Sequence, residues 1–202
     1  MNSIKISRIS WIETLVLKNS AKEHFSQITS FVAIVICSLL LILSAKIKVD
    51  LYPVPMTLQP LAVLMISMLC GRNISVAAVS LYLFQGMVGI PVFAYGGGLP
   101  YLLGPTGGFL FGFLFASMII GELADRGWGK SHFKSVFAML IGLIVIYTFG
   151  IFQLSVLKGF DFAIINGFKP FIVGDLYKLV LAALVIPQIW KLVNKVHKLN
   201  KV

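Results

Sequence analysis

Charged residues are scarce in this chain. They make up 12% of its 202 residues, about half the share a soluble domain carries. Acidic side chains are scarcest of all, seven against 17 Lys and Arg, and there are only two cysteines and three histidines. Each shortage excludes a class of function. Cys37 and Cys70 fall in or at the end of apolar runs, which fits neither a disulfide framework nor a thiolate metal site. His24, His132 and His197 are scattered among polar segments and form no metal or catalytic cluster, and no Ser/His/Asp arrangement is visible. The chain therefore reads as a non-enzyme with no cofactor and no metal. The segment "ADRGWGKS", 124–131, ends like a phosphate-binding loop, but Ala124 stands where that motif needs Gly. It also joins two apolar runs rather than a strand and a helix. Any ATP hydrolysis must come from another chain.

What is present is apolar surface. Hydrophobic residues make up 58% of the chain, the mean hydropathy is +0.96, and several runs reach the length of about 20 residues that crosses a bilayer. This predicts an all-α integral membrane protein. Six spans are expected, at roughly 28–45, 57–71, 74–90, 106–122, 134–154 and 171–192. The second and third are short and separated by "GRNIS". A tight helical hairpin is expected there, because one merged span would bury Arg72 and Asn73 in lipid.

The net charge of +10 follows topology rather than nucleic acid, since the lysines and arginines flank the apolar runs. With both termini inside, 12 of the 17 basic residues fall in inner segments, as the positive-inside rule requires. The chain then divides into an inner-side segment 1–27, a membrane domain 28–192 and a basic tail 193–202. In the first of these, Ile6, Ile9, Trp11, Ile12, Leu15 and Val16 interleave with polar residues. They make either an amphipathic surface helix or a simple extension.

Three stretches are unusual for spans. The first is "LYPVPMTLQPLAVLM", 51–65, which sets three prolines, a Thr and a Gln against an apolar run. Pro53 and Pro55 stiffen the approach, because each disfavours helix in the residue before it. Met56 and Thr57 complete a lid or wall, and Gln59 offers two donors and an acceptor at the helix start. The second is the connection "GIPVFAYGGGLPYLLGPTGG". Residues 86–108 hold eight of the 18 glycines, and no charge occurs between Asn73 and Gly121. Such a loop either caps the bundle or walls a pocket, with Tyr95, Gly97 and Gly98 as candidates. The third is "FIVGDLYKLVL". Asp175 and Lys178, three apart, share one face of the last span, about 6 Å below its outer end. Ionisable groups at membrane depth are functional by default, with a structural ion pair as the alternative. Gly108 and Gly112 form a GxxxG spacing, and Ala33 and Cys37 leave a shallow groove on the first span.

The segments "PVPMTLQPLAVLM" (53–65), "GIPVFAYGGGLPYLLGPTGGFLFGF" (89–113) and "GDLYK" (174–178) together resemble the BioY family, the substrate-binding S components of energy-coupling factor (ECF) transporters for biotin. The resemblance spans roughly 45–190. It implies a multi-pass protein of a bacterial cytoplasmic membrane, a transmembrane coupling subunit and cytosolic ATPase subunits as partners, and biotin as ligand. It assigns ligand contacts to Asp175 and Lys178, places Gln59 and the prolines in the covering loop, and makes Ala33 and Cys37 the approximate docking face. Phe109 stands where the family usually has Tyr, and Tyr95 where a small residue is common. An S component for thiamin or riboflavin, or a non-transport membrane protein, are the competing readings.

Overall fold

The computed structural model describes residues Glu23–Leu199, with side chains described from Gln27 to Lys191. The inner-side segment expected over 1–27 lies outside the described residues as far as residue 22.

The described residues are mostly helical. Helix α1 spans Glu23–Lys46 and is followed by a two-residue strand β1, Lys48–Val49. Strand β2, Met56–Thr57, pairs with it antiparallel, Lys48 opposite Thr57 and Val49 opposite Met56. Then come α2 (Gln59–Met87), a short α3 (Leu99–Leu103), α4 (Gly107–Asp125), a 3-10 turn at Trp128–Lys130, α5 (His132–Lys158), α6 (Phe160–Gly167) and α7 (Lys169–Leu199). Five of these helices are long and apolar enough to cross a membrane: α1, α2, α4, α5 and α7.

The second of the five is not a rod. Gly71, at φ 74° and ψ −178°, is non-helical in the middle of α2, and this left-handed φ is one that glycine alone adopts without strain. Gln59 and Tyr82 are 23 residues apart, which a straight helix would separate by about 35 Å. Their side chains are instead hydrogen-bonded at 2.7 Å. The helix therefore doubles back at Gly71 into two antiparallel arms, 59–70 and 72–87. The expected hairpin at "GRNIS" is real, but its turn is a single residue, because Arg72, Asn73, Ile74 and Ser75 all belong to the second arm. Ser75 Oγ donates to the carbonyl of Gly71 at 2.7 Å and satisfies one of the groups freed there.

Helix α4 is the central post, packed against α2 on one side and α5 on the other. Its glycines allow this. A Cβ at Gly112 would lie 3.0 Å from the carbonyl oxygen of Ile146, and one at Gly108 only 2.3 Å from that of Phe149. The GxxxG spacing thus serves backbone contact inside the bundle. At the Gly71 end, Arg72 bonds Glu122 (3.2 Å), its backbone N–H donates to Asp125 (3.1 Å), and Arg126 also pairs with Glu122 (3.1 Å). A polar cluster therefore closes one end of the bundle.

The other end is built from loops. Residues 47–58, the stretch 88–106 and α6 all lie at the opposite ends of the same helices. Gln153 of α5 donates to the carbonyls of Leu102 (3.0 Å) and Gly104 (2.7 Å), and so anchors the glycine-rich connection. Lys46 donates to the carbonyls of Pro91 (2.7 Å) and Phe93 (2.6 Å). Around the bundle, large apolar side chains such as Phe31, Leu43, Phe152 and Val156 are exposed, as expected of a surface facing hydrocarbon.

The closest approach at the turn gives a stability prediction. A methyl group at Gly121 would sit 2.5 Å from Arg72 Cα and 2.7 Å from its N. Backbone at the hairpin turn cannot yield as a flexible side chain would. Gly121→Ala should therefore destabilise the protein by about 1–3 kcal/mol, seen as a lowered thermal midpoint in detergent. An unchanged midpoint would mean that the turn is not packed this way.

Candidate functional site

Helix α7 enters the loop end of the bundle with Asp175 and Lys178 on one face. Asp175 is 5% exposed, and its Oδ1 lies 2.7 Å from Lys178 Nζ. A carboxylate and an ammonium removed from water are costly unless paired and further hydrogen-bonded. Both conditions are met. Tyr147 of α5 donates to Asp175 Oδ2 at 2.7 Å, and Lys178 donates a second time, to the carbonyl of Thr57 at 2.8 Å. The lysine thus ties the loop 47–58 to α7.

Across from the pair stands Gln59. Its Nε2 donates to Tyr82 Oη, its Oε1 accepts from Thr57 Oγ1 at 3.3 Å, and its backbone N–H donates to the same hydroxyl at 3.2 Å. One side-chain N–H of Gln59 and one of Lys178 remain beyond these bonds.

Between these groups lies a narrow cleft with a free volume of about 50 Å³, so its walls are drawn together well below the volume of a filled small-molecule site. Val54 and Pro55 line it from the first loop, Phe93, Ala94 and Tyr101 from the connection, Phe109 and Phe113 from α4, Ile146 and Tyr147 from α5, and Phe171 from α7. Phe93 is stacked on Tyr101 at 5.0 Å and meets the edge of Tyr82 at 5.4 Å. The cleft is thus an apolar slot with a charge pair and an amide at its polar positions.

Of the residues singled out from sequence, Asp175, Lys178, Gln59, Thr57 and Pro55 line this cleft. Pro53 and Met56 lie in the same loop but not on the lining; the Sδ of Met56 instead sits against Gly174. Gly97 and Gly98 are not on the lining either. A Cβ at Gly97 would lie 2.2 Å from the carbonyl oxygen of Ile90, and Gly98, at φ 96°, donates to Gly86 O at 2.6 Å. These glycines shape the connection that presents Phe93 and Ala94. Ala33 and Cys37 line a separate apolar groove between α1 and the first arm of α2, with Cys37 Sγ 3.8 Å from Cys70 Sγ. The sequence reading missed Tyr147, Tyr82, Phe93 and Tyr101. A lone phenol in the fifth apolar run was the only available signal for Tyr147.

Tyr95 lies outside the cleft, 53% exposed. It donates to Asp50 at 2.7 Å, Lys48 pairs with Asp50 at 3.0 Å, and Lys48 Nζ sits 3.3 Å above the Tyr95 ring centre. This three-residue latch joins the first loop to the glycine-rich connection.

The BioY family model matches residues 18–195. The chain belongs to the BioY family. It is 40% identical over 156 residues to the biotin transporter BioY of Thermotoga maritima, covering 76% of this chain and 90% of that one. It is 32% identical over 181 residues to the probable biotin transporter BioY of Lysinibacillus sphaericus, covering 86% and 92%. The fold resembles a crystal structure of the S-component for biotin from an ECF-type ABC transporter, with a TM-score of 0.74, 24% identity, and coverage of 85% of this chain and 95% of that one.

The latch carries a pH prediction. The Tyr95 hydroxyl, and after it Lys48, hold Asp50 below the usual carboxylate range. The Asp50 carboxylate in turn pushes Tyr95 up to about 12. A depressed acid keeps its contact above its ordinary pKa and loses it as pH falls through the lowered value. A raised phenol keeps its contact below about 10 and loses it as pH rises through about 12. The latch therefore holds across the neutral range and opens at both extremes. In a spectrophotometric titration, the phenolate signal that Tyr95→Phe removes should appear near 12, and Asp50→Asn should bring it down toward the ordinary value. A Tyr95 signal indifferent to Asp50→Asn would refute the latch.

Proposed function

We propose that this chain captures biotin at the outer face of a bacterial cytoplasmic membrane and serves as the substrate-binding S component of an ECF transporter. The observation that carries the reading is the buried Asp175–Lys178 pair, set at 2.7 Å inside an apolar cleft in a chain of the BioY family. It is a transporter component, not an enzyme. Biotin presents a cyclic urea whose N–H donors flank one strong acceptor, with a thioether ring, an aliphatic tail and a carboxylate. Adjacent acceptor and donor groups on the protein suit adjacent N–H and C=O groups on one edge of that urea. Asp175 accepts from a ring nitrogen and Lys178 donates to the ureido oxygen, with Gln59 as a further polar contact. The aromatic walls bury the ring and tail, where exclusion of water strengthens each polar contact.

The same reading orders the molecule in the membrane. The doubled-back α2 supplies two passes, so the five apolar helices make six crossings with both termini inside, within a membrane domain 28–192. The cleft then opens outward, and the Arg72–Glu122–Arg126 cluster faces the basic inner side. Pro53, Pro55, Met56 and Thr57 form the outer covering, helped by Tyr95, with Gly97 and Gly98 shaping the opposite lip. The groove at Ala33 and Cys37 docks the transmembrane coupling subunit, and the cytosolic ATPase subunits supply the energy.

The test is calorimetric titration of biotin into the detergent-solubilised protein, with Asp175→Asn alongside. Wild type should bind tightly, and excess thiamin or riboflavin should not compete. Asp175→Asn should lose at least roughly a hundredfold in affinity while remaining folded by thermal melting. Full affinity in that variant would overturn the site. Displacement by another vitamin would overturn the ligand.

A further inference from the structure

We infer that Tyr147 is the positioning residue of the cleft: through its hydrogen bond it fixes Asp175 as a hydrogen-bond acceptor in one orientation, and so makes the site select a ligand group that donates a hydrogen bond. The inference rests on the reading that a ligand N–H reaches Asp175.

Both carboxylate oxygens of Asp175 are engaged, and from two helices. Lys178 holds Oδ1 from one turn along α7, and Tyr147 holds Oδ2 from α5, each at 2.7 Å. The terminal torsion of an aspartate is broad and only loosely fixed by its own rotamer preferences. With Lys178 alone, the carboxylate could swing about that single tether. A second bond, from a different helix to the other oxygen, fixes the plane of the group. A carboxylate has about four lone-pair positions, so the two bonds leave one on each oxygen. The phenol has one proton and gives it to Asp175. The carboxylate therefore has acceptor capacity left and no donor, and a ligand carbonyl placed there would meet like dipoles.

Tyr147 is itself held. Its ring meets Phe109 edge-on at 6.4 Å and Phe168 edge-on at 5.1 Å. Phe109 can occupy that place because residue 150 is glycine, where a Cβ would lie 2.3 Å from the Phe109 ring. The phenol is thus wedged between two rings from α4 and the α6–α7 corner, with its oxygen aimed at Asp175. A hydroxyl that served only to join α5 to α7 would affect all ligands alike, whereas one that orients the acceptor affects only those that use it.

The experiment compares biotin with the two analogues methylated at one or other ring nitrogen, titrated into full-length wild type and Tyr147→Phe in detergent. Wild type should reject at least one methylated analogue strongly. Tyr147→Phe should weaken biotin roughly ten- to a hundredfold and weaken that analogue much less, so the ratio of affinities shrinks. Equal weakening of both would overturn the positioning role and leave a structural one. If wild type does not distinguish biotin from either analogue, the contact between Asp175 and the urea fails, and the inference fails with it. Phe168→Leu keeps the hydroxyl but removes one of the rings that aims it. It should shrink the ratio in the same direction by less, and it decides the matter if Tyr147→Phe does not fold. An unchanged ratio in a folded Phe168→Leu protein would then count against the assignment.

Discussion

A charge pair held out of water governs the loop end of this molecule. Asp175 and Lys178 sit where a lone charge would be costly, and three contacts offset that cost: the pair itself, the Tyr147 hydroxyl and the Thr57 carbonyl. The last of these has the widest reach. Because Lys178 holds the backbone at Thr57, the first loop cannot move away from α7 without leaving a buried ammonium one acceptor short. The residue that the proposed function assigns to the ligand is thus also the residue that seats the cover. Under the proposed function, one nitrogen couples ligand binding to loop order, and no longer pathway is needed between them.

The helices beneath exist to bring that pair opposite Gln59. Gln59 opens the first arm of α2, and its bond to Tyr82 on the second arm closes the hairpin at the cleft end, as Gly71 closes it at the other. The apolar environment makes this polar clasp worth more than it would be in water, since the alternative for either group is to remain unpaired. Helix α4 then fits between the hairpin and α5 because glycines face both neighbours. Gly121 meets the turn at Arg72, and Gly108 and Gly112 meet α5. The small residues set the helix separations, and those separations set the width of the cleft.

The parts legible in the sequence were those where chemistry and depth disagree. Asp175 and Lys178 stood out as charges in an apolar run, and Gln59 as an amide behind stiff prolines; all three line one cleft. The apolar runs gave the helices, and the cost of burying Arg72 and Asn73 gave the hairpin between the second and third, but not its length: a turn on the single residue Gly71 leaves the periodicity and composition of a continuous helix. The aromatic walls were hidden for a different reason. In a membrane protein, lipid and protein interior are equally apolar, so the pattern of a helix does not say which face is inside. Phe93, Phe109 and Tyr147 looked like Phe111 and Phe152, which face outward. Tyr95 differs in the opposite direction. As a polar aromatic beside three glycines it suggested a ligand contact, and its partners are Asp50 and Lys48, in exposed loops away from the cleft lining.

A site that must release its ligand faces a constraint that a storage site does not. If the polar groups of a closed cleft were satisfied only by ligand, departure would strand a bare charge in low dielectric, and release would carry that full desolvation cost. Here the groups satisfy one another first: Lys178 with Asp175 and Thr57, Tyr147 with Asp175, Gln59 with Tyr82 and Thr57. Under the proposed function, the ligand adds bonds at the remaining lone pairs and N–H groups without having to break these. Its polar contacts then contribute orientation and selectivity, while the aromatic slot contributes the area that excludes water. Selectivity and release can then be set separately, the first by the preformed polar cluster and the second by how readily the loop held at Thr57 lifts from Lys178.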